Sequence, residues 1–481
     1  MFLYGAAVQG IQKYIFQTNK LKEIIGASEL VKNICDDVFM NEFAGNSNVI
    51  VHAAGNVKCV YSSREECERT VMHFPKRVME MAPGVTVSQA VVPVNGDSDY
   101  ASAIDELEKR LHAQRNKAWK SLAVGSMGME RSRTTGLPAV AVDKGDFIDG
   151  ATMAKREVME RRNVNKSLFR DLTGRAVDYD EIGFDTKDLT GRNDWIAVVH
   201  ADGNGLGEVV AKIGKDPDAL KEFSESLDRA TKQAAQRAYR NIEILDKADG
   251  RILPIRPIVI GGDDLTIVCR ADLAVEFVRN YLDFFEEESV KETHHPLTAC
   301  AGIAFIKSSY PFYYGYELAE ALCGQAKKDA KSEEMKKQND NKAPSCLMFH
   351  KVQSSFVESF NTIKAKELTP AEGHSLSYGP YYLTEQKDRW TIGKLMETVE
   401  KLSGEENNPI KSNARKWLTL MHDDVDAARQ HSKRVLSLAS GNQQNLYSAM
   451  TEGIEREGME RCYPVLDVLS MVTIHNQITK K

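Results

Sequence analysis

The sequence predicts an α+β protein in which one α/β unit occurs twice and an α-helical C-terminal domain follows. Three observations predict it: apolar strands and amphipathic helices recur in the same order near residues 2–119 and 195–331, only the second copy carries an acidic glycine turn, and helical periodicity dominates from about Cys346 onward. With 481 residues the chain has room for about three domains at roughly 150 residues each. Hydrophobic residues (42%) and charged residues (27%) stand in globular proportion, which excludes wholesale disorder.

In the first copy the apolar run Phe2 to Val8 reads as a strand, and Ile11 to Phe16 and Glu29 to Phe43 read as helices. Val49 to His52 enters the tight turn Ala53-Ala54-Gly55-Asn56 and Val57 to Tyr61 leaves it, the pattern of a β-hairpin. A polar helix with apolar teeth at Cys67, Val71, Phe74, Val78 and Met81 leads to a strand over Val85 to Val94. A helix from Tyr100 to about Trp119 closes the unit.

The second copy repeats the order: strand Trp195 to Val199, helix Leu220 to Tyr239, strand Ile258 to Ile260, the turn Gly261-Gly262-Asp263-Asp264 and strand Leu265 to Cys269. Helix Ala274 to Phe285, strand Leu297 to Ile306 and helix Tyr316 to about Lys331 complete it. This βααββαβ-like order is that of a ferredoxin-like palm, the fold of nucleotide cyclases and polymerases. Residues 1–120 are therefore read as a first palm and 191–340 as a second. The polar stretch 121–190, with helical signals around Ala151 to Leu172, reads as a connecting subdomain. Residues 341–481 read as helical, with segments Trp390 to Leu402, Asn413 to His422, Asp424 to Ala439, Gln443 to Glu457 and Cys462 to Ile478.

The 63 basic and 69 acidic residues give a formal charge of −6, so no global cationic field drives non-specific nucleic-acid binding. Eight cysteines are scattered without a C-x-x-C pair, which reads as reduced, mostly buried thiols. The N-terminus lacks a basic n-region, and no stretch approaches the ~18 apolar residues of a membrane span. These features predict a cytoplasmic protein with no membrane association.

The chemistry concentrates in the second copy. Asp202 ends a strand immediately before Gly203-Asn204-Gly205-Leu206-Gly207, and Asp263-Asp264 tips a hairpin some sixty residues later. In a palm these positions lie side by side. Paired carboxylates at adjacent strand ends offer hard oxygen ligands to Mg²⁺ or Mn²⁺, which bind through a few carboxylates and substrate phosphates. Asp202 and Asp263 are the expected metal ligands, with Asp263 and Asp264 as catalytic carboxylates. Gly203, Gly205, Gly261 and Gly262, having no Cβ, allow sharp turns and close approach of phosphate, and Asn204 lies among them. Lys327, on the closing helix, is placed to reach triphosphate oxygens. Gly-Gly-Asp-Asp also makes an ordinary surface turn, and a helix lysine beside Lys328 is also an ordinary solvated charge.

These features resemble the palm-domain polymerase/cyclase large subunit of type III CRISPR effector complexes, which makes cyclic oligoadenylate signals. The resemblance is carried by Gly10-Ile11-Gln12-Lys13-Tyr14-Ile15-Phe16 and Leu21-Lys22-Glu23-Ile24-Ile25-Gly26-Ala27-Ser28 in the first palm. In the second it is carried by Gly261-Gly262-Asp263-Asp264, Ala301-Gly302-Ile303-Ala304 and the stretch from Ala319-Glu320 to Ala326-Lys327, and after it by Phe349 to Val357. The resemblance implies an acceptor nucleotide at the first palm, with Ser28 near a base or sugar, and a donor ATP at the second. Ser28 reads equally as a simple helix residue. Partners implied are ATP or other nucleoside triphosphates, guide or target RNA, and effector subunits.

Departures from the family are equally informative. The chain starts at the first palm strand, so no HD nuclease is expected, and no cysteine lies between Cys67 and Cys269, so no zinc is expected. Ala7 and Ala53-Ala54-Gly55-Asn56 stand where carboxylates would be in the first palm, which therefore holds no catalytic metal. Asn204 replaces a residue that is often acidic. The expected function is a metal-dependent nucleotidyltransferase that converts ATP to a cyclic or linear oligonucleotide messenger in antiviral defence. A non-catalytic nucleotide-binding scaffold in an RNA-guided complex, or a cyclase acting on a single nucleotide or on GTP, fits the same residues.

Overall fold

In the computed structural model, which describes residues 1–45, 47–53, 55–94, 100–117, 128–160, 166–190, 193–213, 216–245, 252–354, 358–456 and 460–479, the first unit opens with β1 (Phe2–Gln9). There follow α1 (Ile11–Phe16), α2 (Leu21–Asn33), a π-helical continuation over Ile34–Phe43, the hairpin β2 (Asn48–Ala53) and β3 (Asn56–Tyr61), α3 (Arg64–Met81), β4 (Thr86–Pro93) and α4 (Tyr100–Arg115). The strands form an antiparallel sheet in the order β2-β3-β1-β4. Of the expected features, Ala54 and Trp119 fall outside the described residues.

The helix expected from Glu29 begins eight residues earlier, at Leu21, because Gly26 does not break it. A Cβ at Gly26 would lie 2.0 Å from the Lys155 carbonyl oxygen, so glycine is there to admit another backbone. That backbone belongs to the connecting subdomain, which contains the hairpin β5 (Ala141–Asp143) and β6 (Asp146–Ile148), then α5 (Gly150–Glu160) and α6 (Lys166–Thr173). The expected helical stretch there divides into these two helices; residues 161–165 lie outside the description.

The second unit runs β7 (Trp195–Asn204), α7 (Leu206–Ile213), α8 (Pro217–Leu245), β8 (Ile255–Gly261), β9 (Asp264–Arg270), α9 (Ala274–Thr293), β10 (Thr298–Lys307), α10 (Phe312–Ala330) and α11 (Glu333–Gln338). Trp195, Ala197, Val199 and Ala201 of β7 pack with α6, α8 and α9, while Ile196 and Val198 face the first unit and α10. Burial on both faces explains why β7 reads as a continuous apolar run.

Beyond residue 340 come β11 (Cys346–Lys351), α12 (Phe360–Glu367), β12 (His374–Ser375), β13 (Tyr381–Tyr382), α13 (Ile392–Ser403), α14 (Asn408–Asp423), α15 (Val425–Leu438), α16 (Gly441–Thr451), β14 (Ile454–Arg456), β15 (Glu460–Cys462) and α17 (Val465–Thr479). The region is helical, with two differences from expectation. β11 and β13 extend the second palm's sheet, whose order is β13-β11-β10-β7-β9-β8, and β12, β15 and β14 form a small separate sheet. Six-residue apolar runs such as Cys346 to Lys351 carry no decisive period, so a strand there is indistinguishable by pattern from a helix segment. Residues 355–357 of the stretch from Phe349 to Val357 lie outside the description.

The two palms share one core. Phe16 of α1 stacks on Tyr316 of α10 with ring centroids 3.7 Å apart, and the Ser28 hydroxyl donates to the Ile258 carbonyl of β8. Among the described residues no helix is long and apolar enough to cross a membrane.

Candidate functional site

Strand alternation puts Asp202 on the face of β7 that carries Ile196, Val198 and His200. Pairing of β8 with β9 sets Gly261 opposite Asp264, which leaves Gly262 and Asp263 as a two-residue loop. Gly262 has φ +60°, the positive value that a type II′ hairpin needs at its first loop position. Pairing of β7 with β9 then sets Asp202 opposite Asp264. Carboxylate oxygens of Asp202, Asp263 and Asp264 consequently all lie within 4.8 Å of one another. Among the described residues no second group of three His, Cys, Asp or Glu side chains converges in this way.

Gly203 makes the convergence possible, since a Cβ there would stand 3.0 Å from the Asp263 Cβ and 2.6 Å from Leu206 Cδ1. Gly302 has the same role for α10. A Cβ on it would lie 1.9 Å from the Ala319 carbonyl oxygen, so the helix rests directly on β10, the strand next to β7. That contact brings Lys327 over the strand end, where its ammonium pairs with the Asp202 carboxylate and donates to the Gly203 carbonyl at 2.9 Å.

One ammonium does not balance three carboxylates. Burial, then the negative charge of Asp202, pushes the Asp263 carboxyl up to about 6. Burial, then Asp263 and Asp202, pushes Asp264 up to about 7. Beside them, burial pushes the His200 imidazole down to about 4; its Nδ1 lies 3.1 Å from the Thr266 hydroxyl.

The turn is tied from behind by two α8 residues that the sequence reading missed. Thr231 donates its hydroxyl to the Gly262 carbonyl, and Asp228 Oδ1 accepts the Gly262 N–H at 3.4 Å, with Lys232 on the other Asp228 oxygen at 2.7 Å. On a long amphipathic helix these read as ordinary polar-face residues, and nothing local marks them. His200 did carry a signal, being two residues before Asp202 on a strand and therefore on the same face.

A cleft of about 690 Å³ separates the palms, lined on one side by Gly10, Ile11, Ser28 and Lys32 and on the other by His200, Gly261, Asp264 and Thr266. Ser28 thus borders the cleft, although its hydroxyl is engaged with Ile258. Gly205 turns the chain after β7 with φ +81°. Asn204 is buried and directed into the sheet, its Nδ2 3.1 Å from Thr298 Oγ1 and 3.2 Å from Cys300 Sγ. In the first palm Ala7 is buried in β1, and a Cβ on Gly55 would stand 2.3 Å from Ile11 Cδ1, so apolar side chains close on that turn.

Residues 195–337 match the family model described as Cas10/Cmr2, second palm domain. The chain contains a Cas10-like second palm domain. Its fold is similar over 100% of its length to 70% of a chain in the Csm1–Csm4 cassette in complex with cA4, with a TM-score of 0.59 and 14% identity. It is similar to the same extent to the cassette in complex with one ATP (TM-score 0.58, 15% identity). A third such structure is the Csm1–Csm4 subcomplex in the type III-A CRISPR-Csm interference complex (TM-score 0.57, 15% identity, 100% of this chain and 70% of that chain). No curated protein matches the sequence. In this Cas10-like fold the carboxylate cluster belongs to the second palm and the cleft lies between the two palms.

Proposed function

We propose that the protein is a metal-dependent nucleotidyltransferase that joins ATP into a cyclic or linear oligonucleotide messenger in a CRISPR-type defence system. The observation that carries this reading is the convergence of Asp202, Asp263 and Asp264, the last of which lines a cleft between two palms, with Lys327 beside them. The likeness to assemblies whose structures hold cA4 or ATP supports it.

The donor set fits a hard divalent cation. All three groups offer carboxylate oxygens, and burial, reinforced by the neighbouring carboxylate charges, raises Asp263 to about 6 and Asp264 to about 7, a cost that a dication at the cluster removes. Asp202 and Asp263 would hold Mg²⁺ or Mn²⁺, with Asp264 tuning occupancy. Bound there, the metal supplies Lewis-acid stabilisation of phosphoryl charge.

The chain's own groups do the rest. Gly205, Gly261 and Gly262 let triphosphate approach the backbone, whereas Gly203 makes room for Asp263 and Leu206, and Lys327 leaves Asp202 to meet the charge that grows on the pyrophosphate leaving group. A cleft of about 690 Å³ has room for a donor and an acceptor nucleotide, which aligns a ribose hydroxyl of one with the α-phosphate of the other. In that transfer the hydroxyl oxygen bonds to the α-phosphorus as its proton passes to the Asp264 carboxylate, which lines the cleft, the bond to the bridging oxygen breaks, and pyrophosphate departs. No nucleophilic side chain is needed, since positioning and electrostatics dominate such chemistry. Ser28 faces the cleft from the acceptor side, and Asn204 supports the loop from within the sheet.

The test is to incubate the purified protein with ATP and, separately, with all four ribonucleotides, in Mg²⁺ or Mn²⁺, and to identify products by mass spectrometry beside Asp263→Ala. An adenylate-linked product that the variant fails to make is expected. Absence of product, with and without candidate RNA and partner subunits, would leave a nucleotide-binding scaffold.

A further inference from the structure

Lys327 stands in the last turn of α10, which ends at Ala330. Terminal turns fray because their carbonyls lack intrahelical partners. Asp329 occupies the same turn, and a carboxylate at a helix C-terminus opposes the helix dipole. The turn that carries Lys327 is therefore weak unless something outside the helix takes that carboxylate.

Arg389 takes it from the C-terminal region. Its Nε and Nη2 lie 3.2 and 3.1 Å from the two Asp329 oxygens, and its side chain is 6% exposed. Tyr382 donates its hydroxyl to the same carboxylate at 2.6 Å. A little further on, Gln386 and Asn339 exchange two amide hydrogen bonds at 2.8 and 3.0 Å, and the Lys387 N–H donates to Gln338 Oε1 at 3.2 Å. The stretch from Tyr382 to Lys387 and Arg389 thus grips the end of α10 and the helix after it at separate points, while β13 is itself paired to the palm sheet.

We infer that Arg389 is a positioning residue: by holding Asp329 it keeps the last turn of α10 wound and so fixes the Lys327 ammonium at Asp202 and the Gly203 carbonyl, where a nucleotide phosphate would meet it. Only the final clause rests on the nucleotidyltransferase reading. A bidentate guanidinium–carboxylate pair fixes direction as well as charge, so lysine is a poor substitute at this position.

The experiment uses the full chain with Arg389→Met, and Arg389→Lys in case the first variant unfolds. Amide hydrogen exchange over residues 320–331 reads the clamp itself. Titration with a Mn²⁺-loaded, non-hydrolysable ATP analogue and with adenosine reads its consequence. Faster exchange confined to that segment is expected, with affinity for the analogue reduced about tenfold, the equivalent of one lost phosphate contact, and affinity for adenosine unchanged. In a Lys327→Ala background Arg389→Met should add no further loss, since both changes remove the same contact. Unchanged exchange in a folded variant overturns the inference, as do equal losses for analogue and adenosine or full additivity with Lys327→Ala. Failure of the unaltered protein to bind the analogue would overturn the nucleotide reading and leave exchange to decide the clamp.

Discussion

Asp263 and Asp264 are neighbours in sequence, share a cluster with Asp202, and are both raised into the range where protonation competes with metal binding. Such an arrangement costs stability in the metal-free protein. An acid whose folded pKa lies above its unfolded value stabilises the fold below that window and loses the contribution as pH rises through it. Asp263→Asn should therefore stabilise the metal-free protein by about 1 kcal/mol at pH 8, since it removes a buried charge and its repulsion with Asp202. Saturating Mn²⁺ should reverse the ranking, because only the unaltered site gains the binding free energy. Thermal melts of both proteins in chelator and in Mn²⁺ check this, and a variant less stable than the parent in chelator would contradict it. Lys327→Ala tests the opposite charge: it should weaken binding of a triphosphate analogue roughly tenfold while sparing adenosine, as measured by calorimetric titration.

At the scale of elements, glycines decide where helices and strands come together. Gly302→Ala forces a Cβ against the Ala319 carbonyl, where backbone rather than a flexible side chain must yield, so a loss of roughly 3 kcal/mol in denaturant unfolding is expected. Gly203→Ala meets Leu206 and Asp263 side chains instead, so its unfolding free energy should change by about 1 kcal/mol while its affinity for Mn²⁺ falls. Equal destabilisation by the two substitutions would remove the distinction. These contacts also mark what the sequence discloses. Strand β7, the hairpin bearing Asp263 and helix α10 were legible, because each has a strong period or a turn with its own chemistry. The start of α2 was not, because Gly26 signals a break locally and serves an inter-element contact instead. Strands β11 and β13 were not, being too short for a period and defined only by the sheet they join. Asp228 and Thr231 act through space on a turn some thirty residues away, a relation that no local pattern encodes.

Across the apolar cores that join parts distant in sequence run a few buried polar links, and Asp467 tests how one of them responds to pH. It lies in α17, accepts the Tyr381 hydroxyl at 2.8 Å, and connects the C-terminal helices to the strand that completes the palm sheet. Burial raises its carboxyl from the ordinary 3.8 to about 7, against the lowering effect of the Tyr381 hydroxyl and nearby backbone N–H groups. The folded protein therefore keeps a proton that the unfolded chain releases between about pH 4 and pH 7. Stability from this group is complete below that window, falls as pH rises through it by at most roughly 1.4 kcal/mol per unit, and is level above it. Asp467→Asn retains an acceptor for Tyr381 and abolishes the titration. Urea unfolding at intervals from pH 5 to pH 8 should give the variant a shallower decline than the parent, and at pH 8 a stability at least equal to it. Parallel curves would show that Asp467 is ionised throughout, and that the junction between the C-terminal helices and the palm sheet is held by a buried charge rather than by a buried acid.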